Sequence, residues 1–478
     1  MKSMCDKAHS LGMKCGFYMN NCICKEGQFK DPDMIDKIYR SSVEAMVEWG
    51  YDAVKIDGCS QFHNISYWAQ LMNETGRPFE IENCHDSHTD PTTISSFGEV
   101  CPFNWYRSSS DINPSWDKVW YNFQSVRQYS TTKPPLSRPG CWAYPDMLEV
   151  GQMKFHVEDR THFGAWCITS SPLILGYDLN KEEITDSVWD IITNEPAIAV
   201  NQAWSGSPGH FVRDLQINNS QLGASVNALN CTSTDPTQTG WAYDASKNRV
   251  TLTSHSYYGQ MLAQCLDGSR GRENIVQDCR AKYGAEDDKL FCVDHANGKN
   301  LEMRPCQDTD TQFFEYDGNQ LRDKKGQCVD VWAGHGLPGG PGVQMFKCHN
   351  ASNQEFQFKD GHVVEKAGLC FAVRRGQYGA LVQLWAKPLP CKGCQKVAAF
   401  VASNLGVDGS GNALQNFTYT FDLVDDLGLN QGEVVEVYDV WRQKTLGTHN
   451  ERTFSTDPFG GHDSRFYVFT TTGGVTEI

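Results

Sequence analysis

The chain has 478 residues, 40% of them hydrophobic and 21% charged, with a formal net charge of −16. Such a length exceeds what one hydrophobic core organises, and the composition excludes a disordered or fibrous protein. The negative charge disfavours nucleic acid and anionic membrane, which need a basic surface, and no apolar run is long enough to span a bilayer.

The first residues open inside a helix-strand unit and do not form a signal peptide. Met4, Ala8 and Leu11 recur at helical spacing, Gly12 stops the run, and Lys14 to Tyr18 read as a short buried strand. Helical patterns then alternate with short apolar strands: Asp33–Trp49 before Ala53–Ile56, Ile65–Asn73 before Phe79–Ile81, and Trp116–Tyr129 before a strand at Leu136. Farther on, a strand over Pro172–Leu175 lies between helices Glu158–Thr169 and Lys181–Asn194. This alternation implies βα units on a parallel sheet. No Gly-x-Gly-x-x-Gly or P-loop follows a strand, so a barrel is preferred to a nucleotide-binding sheet, and no cofactor is expected.

From about 216 to 380 the pattern changes to short β segments with recurring cysteines. One unit runs from Cys292-Val293-Asp294 through Cys306 to Gln312; the next runs from Cys328-Val329-Asp330 through Cys348 to Asn353-Gln354. A degenerate earlier copy ends at Cys231, before Gln238 and Trp241. Repeats of about forty residues signal pseudo-symmetric units, and these resemble the ricin-type β-trefoil lectin module. Residues 381–478 alternate in the manner of an antiparallel β domain, as at Val397–Val401 and Val434–Val440. Nineteen cysteines point to an oxidising compartment and several disulfides, with at least one thiol unpaired. The pair Cys391/Cys394 lacks the second ligand pair of a zinc ribbon, so no metal is expected. Glycosylation tripeptides at Asn64, Asn73, Asn218, Asn230, Asn350 and Asn416 agree with a secretory route.

Three segments carry chemistry. In YDAVKIDGCS a strand ends at Lys55-Ile56-Asp57, where barrel active sites are built. Alternation puts Lys55 and Asp57 on one side, so the ammonium can keep the carboxylate ionised and bind a sugar hydroxyl; a structural ion pair is the competing account. In CPFNWYRSSSDI, Arg107 stands four residues before Asp111, and glycoside cleavage needs a second carboxyl group as proton donor. The competing account makes Asp111 a helix N-cap. In RPGCWAYPDMLEVG, Trp142 near Asp146 suits sugar stacking plus hydroxyl binding, against a plain turn into a helix.

Together, with LGYDL and AIAVNQAW beyond them, these segments resemble glycoside hydrolase family 27, the melibiase family, over about residues 1–214 and 381–478. The phrases IENCH and RPGCWAYPDMLEVG are similar to a branch of plant-type α-galactosidases and β-L-arabinopyranosidases. The resemblance implies a multidomain fold: a (β/α)8-type barrel lacking its first two strands over 1–204, a first β-sandwich strand over 205–215, an inserted β-trefoil over 216–380, and a C-terminal antiparallel β-sandwich over 381–478. On this reading Gln383-Leu384-Trp385 opens the sandwich and is not another lectin Gln-x-Trp. The implied activity is a retaining exo-glycosidase releasing terminal α-D-galactosyl residues; a β-L-arabinopyranosidase and a non-catalytic carbohydrate-binding glycoprotein are the alternatives.

Carried over by residue, Asp57 is the implied nucleophile and Asp111 the acid/base, their carboxyl groups roughly 5–5.5 Å apart. Tyr18, Lys55, Arg107, Trp142 and Asp146 are the implied sugar contacts. Cys59 would form a disulfide at the pocket's edge with Cys22 or Cys24, and Cys84 would pair with Cys101. Glu82 or Asn83 stands where the family selects its substrate. In the trefoil, Asp330, Gln344, Phe346, Asn353 and Gln354 most nearly retain the ricin-type sugar site, while Glu302 and Arg304 leave the preceding unit without one. A carbohydrate is thus the expected partner, and a homodimer is among the assemblies the resemblance allows. The family's first two strands, the second ending in an Asp-Asp motif, have no match. Six strands cannot close a barrel, so Met1 is expected to be an internal methionine, with a signal peptide upstream of it.

Overall fold

The computed structural model describes residues 1–20, 28–57, 62, 64–84, 89, 91–214, 224–231, 241–253, 290–294, 301–305, 309–332, 342–349, 351–366, 368–374, 382–404, 407, 410–413 and 416–472. They belong to two compact units: 1–213 with 383–403 and 416–478, and 214–382 with 404–415.

The first unit begins with α1 (Lys2–Ser10), β1 (Gly16–Asn20), α2 (Pro32–Trp49), β2 (Ala53–Asp57), α3 (Ile65–Glu74), β3 (Glu80–Asn83), α4 (Pro91–Ser96), β4 (Trp105–Arg107), α5 (Trp116–Ser125), α6 (Arg127–Ser130) and β5 (Trp142–Tyr144). Helix α2 shows why these boundaries fall where they do. Asp31 caps its start by accepting the Asp33 N–H at 3.0 Å, Pro32 fits the first turn, and Gly50, at φ 83°, ends it in the left-handed conformation. The five strands form one parallel sheet in sequence order. Its outward side chains, Val54, Ile56, Ile81 and Tyr106, are buried in one core with Tyr39, Val43, Met46, Trp68 and Phe123 of the helices. That burial, about 25 cal/mol per Å² of apolar surface, is what fastens each helix to its strand.

Two expected strands differ. The one at Leu136 is instead Trp142–Tyr144, because Pro134 and Pro135 supply no backbone donor and the Leu136 N–H bonds back to Tyr129 O at 2.8 Å. The segment Pro172–Leu175 does not enter the sheet and makes only an isolated parallel bridge, Leu148 to Leu175. Expected helix Lys181–Asn194 is broken at Val188 into α8 (Glu182–Ser187) and α9 (Trp189–Ile192), following α7 (His156–Ile168); α10 is Glu195–Gln202.

The same unit holds a six-stranded sheet in the order Lys444–His449, Val435–Asp439, Ser464–Thr471, Lys396–Ser403, Val382–Pro388, His210–Asp214. Gln383, Leu384 and Trp385 therefore lie inside a sandwich strand, next to the strand at 210–214. The second unit is β-rich, with a separate core of Val226, Trp241, Leu252, Phe314, Val329, Phe356 and Phe371 among others. No helix among the described residues is long and apolar enough to cross a membrane.

Buried in α7 is His162, 0% exposed, with no partner for either ring nitrogen among the described residues. Burial pushes its imidazole down from 6.5 to about 3. Between these values the unfolded chain binds a proton that the folded one does not, so the folded state loses stability as pH falls below 6.5 and is unaffected above it. At pH 5 this amounts to about 2 kcal/mol. Urea unfolding of His162→Leu should show a shallower decline from pH 7 to pH 5 than the parent; parallel declines would assign the acid sensitivity elsewhere.

Candidate active site

Strand register sets side chains from five strands in rows on the inner face of the parallel sheet. Tyr18, Lys55, Glu82, Trp105 and Trp142 are successive Cα partners across β1 to β5. Alternation puts Asp57, Cys84, Arg107 and Tyr144 on the same face two residues farther on, at the C-terminal ends of the strands. A cavity of about 240 Å³ opens on this face, lined by Gly16, Phe17, Tyr18, Ala53, Val54, Lys55, Glu82 and Trp105. Trp142 is partly exposed and meets Trp204 edge to face at 5.4 Å.

Lys55 and Asp57 share the inner face, yet their partners differ from expectation. Lys55 Nζ pairs with Glu82 Oε1 at 3.1 Å, because register sets those two side by side, whereas Asp57 lies about 6–7 Å farther along β2. Burial alone would lower the Lys55 ammonium, but the Glu82 carboxylate together with Cys84 and Asp146 outweighs it and the net shift is upward. Burial raises Glu82 more than Lys55 lowers it. Asp57 accepts instead from the Tyr18 hydroxyl. Of the two candidates for substrate selection, Glu82 faces the cavity; Asn83 points the other way and donates to Thr89 Oγ1 at 3.1 Å. Cys59, with Cys22 and Cys24, lies outside the described residues.

At the other end of the row Arg107, 2% exposed, is a hub. Its Nη2 reaches Asp146 Oδ2 at 3.0 Å, Asp111 Oδ1 at 3.1 Å and Ser109 O at 3.1 Å, and Nη1 donates to Cys84 Sγ at 3.3 Å. Asp146 is held at φ 89°, a left-handed backbone that costs a non-glycine residue on the order of 1 kcal/mol or more. The conformation is maintained because its carboxylate accepts the N–H groups of Ile112 at 2.9 Å and Met147 at 2.8 Å as well as the guanidinium. Where free groups for sugar hydroxyls were expected, Arg107 and Asp146 are buried and matched to each other. Asp111 is different: its side chain is 90% exposed. Nor does it cap α5, whose N-cap is Ser115.

The expected Cys84–Cys101 bond is replaced by Cys101–Cys141, with Cα atoms 5.8 Å apart. Those two cysteines precede the neighbouring strands β4 and β5, while Cys84 leaves β3 on the inner face as a free thiol. Burial pushes that thiol up to about 11, Arg107 and Lys55 offsetting it only in part. Its position could have been read from the two-residue period that links it to Glu82.

In the second unit, strand pairing sets Asp330 opposite Gln344. Asp330 Oδ1 accepts from Gln344 Nε2 at 3.0 Å, and Oδ2 accepts from Asn353 Nδ2 and Gln354 Nε2, both at 2.9 Å. Phe346 stays 41% exposed. The structure therefore brings the five expected residues together and adds His349, whose Nε2 lies 3.2 Å from Asp330 Oδ2. The side chains of Glu302 and Arg304 lie outside the described residues.

Residues 1–203 match the family described as α-galactosidase A, residues 379–469 its C-terminal β-sandwich domain, and residues 283–396 the ricin-type β-trefoil lectin domain. The last two matches overlap at 379–396, where strand Val382–Pro388 pairs within the sandwich sheet. An α-N-acetylgalactosaminidase of Gallus gallus is 28% identical over 231 residues, covering 44% of this chain and 53% of that one. An α-galactosidase of Cyamopsis tetragonoloba is 28% identical over 232 residues, covering 45% and 52%. The α-galactosidase A of Cellvibrio japonicus is 29% identical over 225 residues, covering 42% and 51%. The chain spans about half the length of the curated relatives it matches.

Removing the partner of a buried guanidinium leaves an uncompensated charge. Asp146→Ala should lower unfolding free energy in urea by about 3–5 kcal/mol. A loss below about 1 kcal/mol would mean that Arg107 finds other acceptors or reaches water.

Proposed function

We propose, from the matches to the α-galactosidase A family, its C-terminal β-sandwich and the ricin-type lectin domain, a retaining exo-glycosidase acting on terminal α-D-galactosyl residues. The supporting observation is the pair of carboxyl groups at strand ends on one face of the sheet. Asp57 closes β2, and Asp111 lies in the loop that follows β4, two places along the same sheet, so both carboxyl groups come from the C-terminal side of the strands and can flank one glycosidic bond. Asp57 attacks the anomeric carbon while Asp111 gives its proton to the departing oxygen. Asp111 then takes a proton from water, which displaces Asp57 and restores both groups with retained configuration. The Tyr18 hydroxyl holds one edge of Asp57 and leaves the other for attack. Lys55 and Glu82, paired on the cavity wall, supply a donor and acceptors for sugar hydroxyls.

In the lectin domain the reading is a sugar pocket formed by Asp330, Asn353 and Gln354 beneath Phe346. Among the described residues the disulfides Cys5–Cys15, Cys101–Cys141, Cys231–Cys370, Cys328–Cys348 and Cys391–Cys394 support a secretory location.

Against p-nitrophenyl α-galactoside, Asp57→Asn should lose about a thousandfold or more in kcat, as removal of a nucleophile does. NMR of the first-formed sugar should show the α anomer; equal activity of parent and variant would remove Asp57 from the reaction. Phe346→Ala should weaken retention on immobilised galactose about tenfold, the value of one lost stacking contact, with unfolding free energy changed by less than about 0.5 kcal/mol. Unchanged retention would leave the domain a structural role.

A further inference from the structure

Helix α5 carries a polar stripe that packing does not require. Lys118, Asn122 and Ser125 recur at i, i+4 and i+7, hence on one helix face. All three reach the segment that leads to Asp111. Lys118 Nζ donates to Ser110 Oγ at 2.6 Å, and the hydroxyls of Ser125 and Ser108 meet at 2.8 Å. Asn122 Nδ2 donates to Ser110 O at 3.0 Å and to Pro145 O at 2.8 Å.

Asn122 is 0% exposed, in a helix whose other buried residues include Trp116, Val119, Trp120 and Phe123. A buried amide is costly unless bonded, and an apolar residue would occupy the space without that demand. Its two donor hydrogens go to the carbonyls immediately before the two carboxylates, Ser110 before Asp111 and Pro145 before Asp146. Ser109 Oγ also donates to Pro145 O, at 3.1 Å, so the loops after β4 and β5 share one acceptor.

We propose that Asn122 and Lys118 are positioning residues for Asp111: they clamp the backbone of Ser108–Asp111 so that the exposed carboxyl meets the departing oxygen by side-chain rotation alone. This rests on the reading of Asp111 as the acid/base. Arg107 constrains the carboxyl group, whereas α5 constrains the chain that carries it. A displacement of about 1 Å at such a group can cost on the order of a hundredfold in rate.

The test uses Asn122→Ala, Lys118→Met and Lys118→Arg in the full chain. Proton donation matters for a poor leaving group and hardly at all for a good one. Asn122→Ala and Lys118→Met should therefore lose about tenfold or more in kcat/KM on methyl α-galactoside but less than about threefold on 2,4-dinitrophenyl α-galactoside, and Lys118→Arg should recover most of the loss. Equal losses on both substrates would reduce the stripe to a structural role and overturn the inference. Hydrogen exchange supplies an arm independent of turnover. The Asp111 and Ile112 amides should exchange about tenfold faster in Asn122→Ala and Lys118→Met, with those of α2 unchanged; unaltered exchange would also overturn it. A parent chain that hydrolyses neither galactoside would count against the proposed function, and the exchange arm would still decide the clamp.

Discussion

Burial of the Arg107 guanidinium is the constraint on which the rest of the site depends. A guanidinium does not give up its proton in a protein, so it can be buried only where acceptors surround it. Here they come from three strands: Cys84 after β3, Ser109 and Asp111 after β4, and Asp146 after β5. Meeting that demand draws the three loops together and holds Asp146 at positive φ. Lys55 and Glu82 repeat the logic one row deeper. Each inner cation is thus matched by a buried carboxylate. Asp57 is left against a neutral phenol, and Asp111 shares the guanidinium while facing solvent.

Much of this was legible in the sequence because it follows from period and from strand ends. The βα alternation placed the helices, the two-residue period put Lys55 and Asp57 on one face, and Asp57 is the last residue of β2. What escaped depends on neighbours distant in sequence. Lys55 pairs with Glu82 because β2 and β3 align in one particular register, which no local pattern reveals. Cys101 bonds Cys141 because their strands are adjacent, a matter of sheet order. The strand expected at Leu136 lies instead at Trp142–Tyr144, because Pro134 and Pro135 offer the sheet no backbone donor. The stripe on α5 was visible as spacing, but its meaning came only from the carbonyls it reaches.

The sandwich strand at Val382–Pro388 enters the site's architecture through the same helix. Gln383 and Gln124 exchange side-chain amide bonds at 2.9 and 2.8 Å, both buried, and Phe123 lies 4.4 Å from Trp385. Helix α5 is therefore fixed on one side by the sandwich and on the other by the loop before Asp111. Lys387 on the same strand donates to Ser170 Oγ at 2.6 Å and to the carbonyls of Val200 and Asn201, at the ends of α7 and α10. These last carbonyls present the negative end of each helix to the ammonium, while burial pulls it down to about 7. Sandwich and sheet thus share one core, which is why residues 383–403 and 416–478 fall in the same compact unit as 1–213.

The lectin domain interrupts that sandwich at a place where the chain can bear it. The strands at His210–Asp214 and Val382–Pro388 are hydrogen-bonded neighbours, about 5 Å apart across the sheet, and the insert joins one to the other. An insert fits such a gap without disturbing register only if its own ends also lie close together. The inserted unit meets that condition by itself. Its strand Ala224–Asn230 pairs antiparallel with Leu369–Arg374 from Ser225–Arg374 to Asn230–Leu369. The Cys231–Cys370 disulfide then locks the pair where the strands turn into the domain. The first and last described strands of the insert are therefore fixed to each other by its own sheet.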